Sequence, residues 1–358
     1  MLYVDDWEAI KERHLAWWAG EIVDRMAIMI SAPRDPARPF RYPADLDLDR
    51  FWTDPAYALD LFEEECAATY YAGDNFPYYM PFLGPVCLAA FVGCPLSYHR
   101  TRTCWLEPII ESWDDPAELA VDPANRWWRV MQAMTRAAAE RGRDRFWVGL
   151  TDLAHPGDDI AALRGTQNAL MDFADVPDKV DETMATMCDL WTDVIDELYG
   201  LIRAAGQHGS AGTFGIYSPG KSYTMQSDFS CMLSEAMFDR HIVPVLERQA
   251  AHLDHAIYHV DGPDAIRHVP SVAAVPGIRA LNWIAGEGQG PMRKWAPLIK
   301  RMQGFGKPVQ VGAAPDDVEP ILEVASPRGL LMNVRCDSPD EADELVRNVE
   351  RWTARYNR

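Results

Sequence analysis

The stretch HAIYHVDGP, residues 255–263, is an apolar run that ends on two reactive side chains and a turn. The run predicts a buried strand that Gly262 and Pro263 terminate. Because residues i and i+2 of a strand point to the same side, His259 and Asp261 are expected to face one space. Parallel α/β proteins bind their ligands at the carboxyl ends of the strands. The stretch therefore predicts a parallel sheet with a functional site at its carboxyl edge.

From about residue 140 onward, short apolar segments bounded by turn residues alternate with segments of helical periodicity. Repeated β-then-α units of this kind imply a parallel sheet. The predicted strands are residues 145–150, 212–217, 255–260, 278–284, 308–312 and 329–334, and the predicted helices are residues 177–205, 234–253, 290–304, 317–324 and 338–356.

Two further strands, at residues 25–31 and 85–91, bring the number to eight, which a closed (β/α)8 TIM barrel requires. The predicted fold is therefore an α/β barrel that forms one domain over residues 1–358. Residues 1–80 hold a helical and irregular N-terminal extension, with predicted helices at 6–20 and 55–71, and the first βα unit. A doubly wound open sheet is the alternative, but no Gly-x-Gly-x-x-Gly follows the first strand.

The formal net charge of −20 argues against two classes of partner. Such a chain repels nucleic acid phosphates and anionic lipid, so neither nucleic acid nor a membrane is a predicted partner. The first seven residues, MLYVDDW, lack the basic start and apolar core of a secretory signal. No apolar stretch is long enough to span a bilayer. These features predict a cytoplasmic protein.

The seven cysteines are irregularly spaced and include no Cys-x-x-Cys pair. This pattern argues against a disulfide framework and against a compact structural zinc site. Cys336 follows the last predicted strand. Together with His259 and Asp261 it forms a plausible set of three zinc ligands. Such a site leaves a fourth position open for substrate. The alternative is that His259 hydrogen-bonds a carbonyl or Asp261, while Cys336 is packed in the core.

Other strand ends also carry polar side chains that are candidates for catalysis or substrate binding. Asp228 is a candidate acid or base, with a turn-capping role as the alternative. Arg164 is a candidate clamp for a substrate carboxylate, or it pairs with Asp158 or Asp159. The remaining candidates for substrate binding are Asp152, Tyr217, Trp283 and Glu287.

The segment at residues 73–81 is too aromatic for an ordinary solvated loop. It is predicted to line a pocket for a flat or apolar ligand, with Asp74 and Tyr79 as its candidate binding residues. The alternative is that this segment closes the bottom of the barrel.

Several short motifs are spread over nearly the whole chain. They are Leu83-Gly84-Pro85, Thr151-Asp152-Leu153 followed by residues 159–165, SDFSCMLS at residues 227–234, Met237-Phe238, Pro244, and YHVDG at residues 258–262. Together they resemble the uroporphyrinogen decarboxylase superfamily, and in particular its outlying branch near the cobalamin-dependent methyltransferases. This resemblance implies a (β/α)8 barrel.

The methyltransferase branch uses a His-x-Cys pair and a distant cysteine as zinc ligands. His259 matches the histidine and Cys336 the distant cysteine, whereas Asp261 replaces the middle cysteine. The resemblance implies a methyltransferase or demethylase that acts on a small methylated substrate at the barrel mouth. It also implies cobalamin on a separate corrinoid protein, and a possible homodimer.

Two alternatives to methyl transfer stay open. One is a decarboxylase of a small carboxylic acid, in which Asp228 or Asp261 protonates a carbanion and Arg164 holds a carboxylate. The arginine-rich N-terminal motif with which the true decarboxylase grips porphyrin carboxylates is absent from residues 17–25. The other alternative is a non-catalytic protein that binds a small molecule in the barrel pocket.

Overall fold

The protein is described from a computed structural model, which covers residues 1–99, 101, 103–114 and 118–357. Its strands are β1 (Ala27–Pro33), β2 (Thr69–Gly73), β3 (Tyr78–Tyr79), β4 (Leu96–Tyr98), β5 (Cys104–Leu106), β6 (Trp147–Val148), β7 (Ser210–Ala211), β8 (Tyr217–Ser218), β9 (Ser222–Met225), β10 (His255–Asp261), β11 (Ile278–Ile284), β12 (Val309–Ala313) and β13 (Leu330–Arg335).

The helices lie before, between and after these strands. They are α1 (Trp7–Trp18), α2 (Leu48–Thr53), α3 (Pro55–Ala68), α4 (Cys87–Phe91), α5 (Arg126–Arg141), α6 (Pro156–Arg164), α7 (Thr166–Asp175), α8 (Pro177–Ala204), α9 (Glu235–Met237), α10 (Val243–Ala251), α11 (Val269–Ala274), α12 (Ala296–Gln303), α13 (Val318–Leu322) and α14 (Pro339–Tyr356). Within the described ranges, no helix is both long enough and apolar enough to cross a membrane.

A seven-stranded sheet forms the centre of the molecule, in the order β2-β1-β13-β12-β11-β10-β9. Every neighbouring pair in it is parallel except β1 and β2. A second parallel pair, β3 with β6, is continued by a hydrogen bond of 2.8 Å from Gly149 N to the Tyr79 carbonyl. This mostly parallel sheet with many helices is compatible with a TIM-like barrel. The ladders formed by the described residues do not close into a ring.

Most of the strands predicted for the central sheet are confirmed. The predicted strands at residues 255–260, 278–284, 308–312 and 329–334 correspond to β10, β11, β12 and β13, and the strand at 25–31 corresponds to β1. Each is buried on both faces over most of its length, which is why each appears in the sequence as a continuous apolar run. Of the predicted strand at 145–150, only β6 is formed.

Two predicted strands are wrong. Residues 85–91 contain α4 instead, and all five residues of this helix are buried. A short apolar run buried on every side has the same sequence pattern in either conformation. Residues 212–217 form mainly the connection between the antiparallel strands β7 and β8, with Gly215 at φ +73°. The place next to β10 in the sheet belongs to β9, which the sequence pattern did not indicate.

The N-terminal half also departs from prediction. The predicted helix at residues 55–71 ends at Ala68, and the aromatic residues that follow form β2, an antiparallel edge strand against β1. Aromatic residues favour strands over helices, and this preference prevails once β1 offers a partner. Helices α5, α6 and α7 were not predicted. In the C-terminal half, the predicted helix at 234–253 is divided by a π-helical turn at Phe238–Ile242.

A buried ion pair holds the chain after β2 against β1 and α1. Asp74 is fully buried and accepts hydrogen bonds from Arg25 at 2.6 and 3.0 Å, which is a bidentate pair. The same carboxylate accepts from the backbone N–H of Ile28 at 2.9 Å and from Arg13 at 3.3 Å. Asp74 was predicted to bind substrate, but its acceptor sites are used within the fold.

We expect Asp74→Ala to lower the free energy of unfolding by about 3–5 kcal/mol, because the buried Arg25 would lose its counter-charge. Urea unfolding followed by circular dichroism measures this change. Glu8→Ala is the matched control, since the Glu8–Lys11 pair is solvent-exposed and such pairs contribute roughly 0–1 kcal/mol. Equal unfolding midpoints for the two variants would contradict a structural role for Asp74.

Candidate functional site

A chain of hydrogen-bonded side chains crosses four neighbouring strands and ends at His259. Asn282 on β11 contacts His259 Nδ1 with its Oδ1 and donates from Nδ2 to Gln310 Oε1 on β12. Gln310 Nε2 donates to Asn333 Oδ1 on β13 at 3.0 Å, and Asn333 Nδ2 donates to the Phe214 carbonyl at 3.2 Å. Asn282 and Gln310 are buried. The sheet interior is therefore polar along this line.

This hydrogen-bonded chain fixes the protonation pattern of the histidine. Because Asn282 donates its amide N–H to Gln310, its oxygen faces His259 Nδ1. An oxygen can only accept a hydrogen bond, so Nδ1 must carry the proton. The lone pair of a neutral His259 then lies on Nε2, which is the arrangement that second-sphere partners impose on metal-binding histidines.

His259 belongs to a group of three potential metal ligands at the mouth of the sheet. One ligand atom each from Asp228, His259 and Asp261 lies within 4.8 Å of the other two. His259 and Asp261 lie two residues apart on β10, which extends through Asp261. Asp228 begins the 3-10 segment that follows β9. Parallel neighbouring strands end at the same edge of a sheet, and this brings the three residues together.

The third ligand predicted from the sequence, Cys336, is not part of this group. Cys336 is buried in the main hydrophobic core, and its backbone N–H donates to the Ser31 carbonyl at 2.9 Å. Burial raises the pKa of its thiol to about 11, which disfavours the thiolate that a metal requires. Cys336 therefore lies apart from His259 and Asp261, and the third residue of the group is Asp228, for which the sequence predicted an acid–base role or a turn-capping role.

Further carboxyl groups surround the three candidate ligands. Asp158 accepts a hydrogen bond of 2.7 Å from the backbone N–H of Phe229, the residue next to Asp228. Asp152 accepts from the Ala154 backbone N–H at 2.9 Å and from the Gln226 side chain at 3.1 Å. Asp158 and its neighbour Asp159 lie in the first turn of α6. In the sequence these two acids were predicted only as partners of Arg164, although adjacent acids after a proline are a helix-start signal.

Desolvation and mutual repulsion keep these carboxyl groups protonated at higher pH than usual. Burial, together with the nearby charge of Asp228, raises the pKa of Asp152 to about 7. The same two causes raise the pKa of Asp158 well above its ordinary value. Loss of hydration raises the pKa of Asp228 itself, which His259 lowers and Asp261 raises. The mouth therefore holds a surplus of carboxyl groups.

Arg164 and Tyr217, predicted to bind substrate, have other partners in the structure. Arg164 forms an ion pair of 2.7 Å with Asp172, and not with Asp158 or Asp159 as the alternative reading held. It also donates to two main-chain carbonyls at 2.8 Å. The Tyr217 ring is buried between Trp7 and Trp147, with ring centroids 5.1 and 4.8 Å away. Both side chains are therefore used in packing the fold.

The last two residues predicted from strand ends do not join the group either. Trp283 is buried and packs against Trp295 at a centroid distance of 5.1 Å. Its neighbour Asn282 points into the polar chain, so strand alternation turns Trp283 to the opposite face. Glu287 is exposed in the loop that follows β11.

The aromatic segment that was predicted to line a pocket does line one. A cleft of about 590 Å³ lies beside the carboxyl ends of β1 and β13, and residues 75–80 form part of its wall. Tyr79 contributes to this wall and packs against Phe62 and Phe146. Asn333, the last side chain of the polar chain, also lines the cleft. The cleft and the candidate metal ligands are therefore connected through the sheet interior.

The fold is similar to that of a methyltransferase from Methanosarcina mazei. The TM-score is 0.61 at 14% sequence identity, and the match covers 96% of this chain and 98% of that chain. At such low identity the likeness concerns the fold alone, and it extends over nearly the whole length of both chains. No protein-family model matches the sequence, and no curated protein matches it.

We expect Asp152→Asn to stabilise the metal-free protein at pH 8. The raised pKa means that native Asp152 holds a proton which the unfolded chain releases near pH 4, so this residue makes stability fall as the pH rises from about 4 to about 7. Above pH 7 the ionised Asp152 lowers the free energy of unfolding by its full amount. The difference of about three pKa units between the native and unfolded chain sets an upper limit of about 4 kcal/mol for this amount.

Chemical denaturation in EDTA at pH 5 and pH 8 checks this expectation. The difference in free energy of unfolding between Asp152→Asn and the wild type is expected to be less than half as large at pH 5 as at pH 8. Asp316→Asn, at an exposed position, serves as the control and should show no such dependence. A variant that is less stable than the wild type at pH 8 would rule out a destabilising charge at Asp152.

Proposed function

We propose that this protein is a corrinoid-linked methyltransferase or demethylase that acts on a small methylated substrate at the carboxyl edge of its sheet. The observation that carries the proposal is the group formed by Asp228, His259 and Asp261. Two further observations support it, namely the fold similarity to a methyltransferase and the sequence motifs of the uroporphyrinogen decarboxylase superfamily. On this proposal the sheet and its helices form a closed (β/α)8 barrel in a single domain.

The donor set of the three residues fits a divalent metal ion such as zinc. Zinc binds imidazole nitrogen and carboxylate oxygen at about 2 Å, so two ligand atoms of one ion lie about 4 Å apart or less. The ligand atoms of this group lie within 4.8 Å of one another, so binding would draw any pair that is farther apart than about 4 Å closer together. When bound, the ion would act as a Lewis acid toward the heteroatom of the substrate.

The charge balance of the mouth also favours a cation. Neither Asp228 nor Asp261 forms an ion pair with a lysine or arginine among the described residues. Burial raises the pKa of Asp228, and repulsion by the nearby Asp261 carboxylate raises it further. A divalent ion would neutralise both carboxylates and remove this repulsion.

The remaining residues have roles in positioning and proton transfer. Asn282 holds the proton on His259 Nδ1 and thereby keeps Nε2 available as a ligand. In methyl transfer, the bond from the methyl carbon to the substrate heteroatom breaks, and its electron pair stays on the heteroatom. A reduced, nucleophilic cobalt(I) corrinoid on a partner protein would supply the electron pair for the new bond to the methyl carbon. Asp152, whose pKa is raised to about 7, would supply the proton that neutralises the departing heteroatom.

Metal binding tests the ligand set directly. We expect purified, EDTA-treated protein to bind one equivalent of zinc in isothermal titration, with a loss of affinity of at least about tenfold in His259→Ala, Asp261→Asn and Asp228→Asn. Cys336→Ser should retain wild-type affinity. Asp264→Asn is the matched control, because Asp264 is an exposed carboxylate that pairs with Arg267 just after β10. Loss of zinc in Cys336→Ser with retention in Asp228→Asn would restore the ligand set predicted from the sequence.

Methyl transfer has its own assay. Reduced cobalamin, used in place of the corrinoid protein, is expected to gain a methyl group from a methylated substrate in the presence of the zinc-loaded enzyme, which the absorbance of methylcobalamin reports. His259→Ala should lower the rate by at least about a hundredfold, whereas Asp264→Asn should not change it. Zinc binding without methyl transfer from any O-, S- or N-methylated compound would argue against the proposed reaction.

One observation favours a second candidate, a decarboxylase of a small carboxylic acid. Asp152 and Asp158 stay protonated at higher pH than ordinary aspartates, and a carbanion formed by loss of carbon dioxide needs such a proton donor. This reaction needs no corrinoid. Full turnover of a carboxylic acid by EDTA-treated protein would support decarboxylation and exclude methyl transfer as the main activity.

A further inference from the structure

The cleft beside β1 and β13 has a charge opposite to that of the acidic group on β10. Arg335 ends β13 and Arg41 belongs to the segment that follows β1, and both line the cleft. We call this region the arginine cleft and define it by Ser31, Arg41, Tyr71, Tyr79, Asn333 and Arg335. Neither arginine forms an ion pair with a carboxylate among the described residues.

The charge of the arginine cleft differs from that of the chain as a whole. The formal net charge is −20, so carboxylates outnumber cations, and many other arginines form ion pairs with acids. One acid, Glu65, also lines the arginine cleft. Among the described residues, the lining therefore carries two formal positive charges and one negative charge. An arginine side chain that lines a cavity without a carboxylate partner is suited to bind an anionic ligand, often through two parallel hydrogen bonds.

The walls of the arginine cleft are largely aromatic and apolar. Aromatic rings come from Tyr71, Tyr78 and Tyr79. Further apolar surface comes from Met29, Phe40, Phe62, Phe76 and Met80. Tyr78 is fixed in place, because its hydroxyl donates to the Thr213 carbonyl at 3.1 Å. Burial and the charge of Glu65 raise the pKa of Tyr78 to about 12, so its ring stays neutral. Such walls favour a flat, ring-bearing ligand.

The arginine cleft adjoins the candidate metal ligands through Phe214. Asn333 lines the cleft and donates to the Phe214 carbonyl at 3.2 Å, while the Phe214 ring lies 5.4 Å from the His259 ring between centroids. The Tyr78 ring packs closely over Gly215, where any side chain would collide with it. A ligand held by Arg41 and Arg335 thus lies on the same strand-end side of the sheet as His259.

We propose that the arginine cleft binds the carboxylate end of a ring-bearing organic acid and thereby selects the substrate. Arg335 and Arg41 hold the carboxylate, the tyrosine rings pack against the body of the ligand, and the other end of the ring points toward His259. Only the last step, the delivery of the reacting end to His259, rests on the proposed function. Recognition of the anion depends on the arginine cleft alone.

Benzoate is the probe, and its neutral isostere benzamide is the control ligand. Both are titrated into metal-free protein, with binding followed by tryptophan fluorescence and isothermal titration. We expect benzoate to bind at least about tenfold more tightly than benzamide, because only the carboxylate forms charge-assisted hydrogen bonds with arginine. Inorganic phosphate should bind more weakly than benzoate, since it lacks a ring to fill the aromatic walls.

Matched variants locate the site. Arg335→Gln and Arg41→Gln are each expected to weaken benzoate about fivefold or more and to leave benzamide unchanged, whereas Arg301→Gln, at an exposed arginine of α12 outside the cleft, should change neither. Circular dichroism verifies that each variant is folded. No binding of benzoate, equal binding of benzoate and benzamide, equal binding of phosphate, or an unchanged affinity in Arg335→Gln would each overturn the proposal.

The design separates this proposal from the one on methyl transfer. Benzoate carries no methyl group, and the titration uses neither zinc nor cobalamin. Binding of benzoate by a protein without methyl transfer would leave the arginine cleft established and reject only the reaction. Methyl transfer from a methylated ring-bearing acid with a KM that Arg335→Gln does not alter would reject the arginine cleft and leave the reaction intact.

Discussion

The hydrogen-bonded chain from His259 through Asn282 and Gln310 to Asn333 is the constraint on which the site depends. These side chains come from four consecutive strands and lie inside the sheet, where an unpaired polar group costs about 1–3 kcal/mol. Each member is therefore tied to its neighbours, and the register of β10, β11, β12 and β13 is specified along with them. The same interaction sets the proton of His259, so stability of the sheet and chemistry of the histidine share one cause.

Around this chain the strand ends carry opposite charges on two sides. Asp228 and Asp261 lie on the side of β10, whereas Arg335 lies on the side of β13 and β1. The ionised forms of these carboxyl groups oppose folding, because burial raises the pKa of Asp152 and Asp158. Buried acids of this kind are frequent at functional sites, where the cost in stability is retained for chemistry. A substrate that bridges the two sides would meet a cation-binding group at one end and an anion-binding group at the other.

The parts of the fold predicted correctly are those with a local cause. Strands β10 to β13 are apolar runs bounded by turns, and α14 begins with a serine cap and a proline. The errors occur where the cause is distant in sequence. The residues of α4 are buried by elements from other parts of the chain, so their apolar run did not distinguish a helix from a strand. The strand β2 exists because β1 provides an edge to pair with, which residues 69–73 alone do not reveal.

The sequence by itself determined that a histidine and a carboxylate lie two residues apart at the end of a buried strand, since strand alternation is a local property. Only the tertiary structure decided which third residue joins them. Asp228 follows β9 and His259 lies on β10, and the two residues meet because these strands are parallel neighbours joined by a helical connection. Cys336 is an equally plausible ligand in the sequence, but it is buried in the core. Sequence composition specifies which ligands are available, but strand order and burial determine which of them meet.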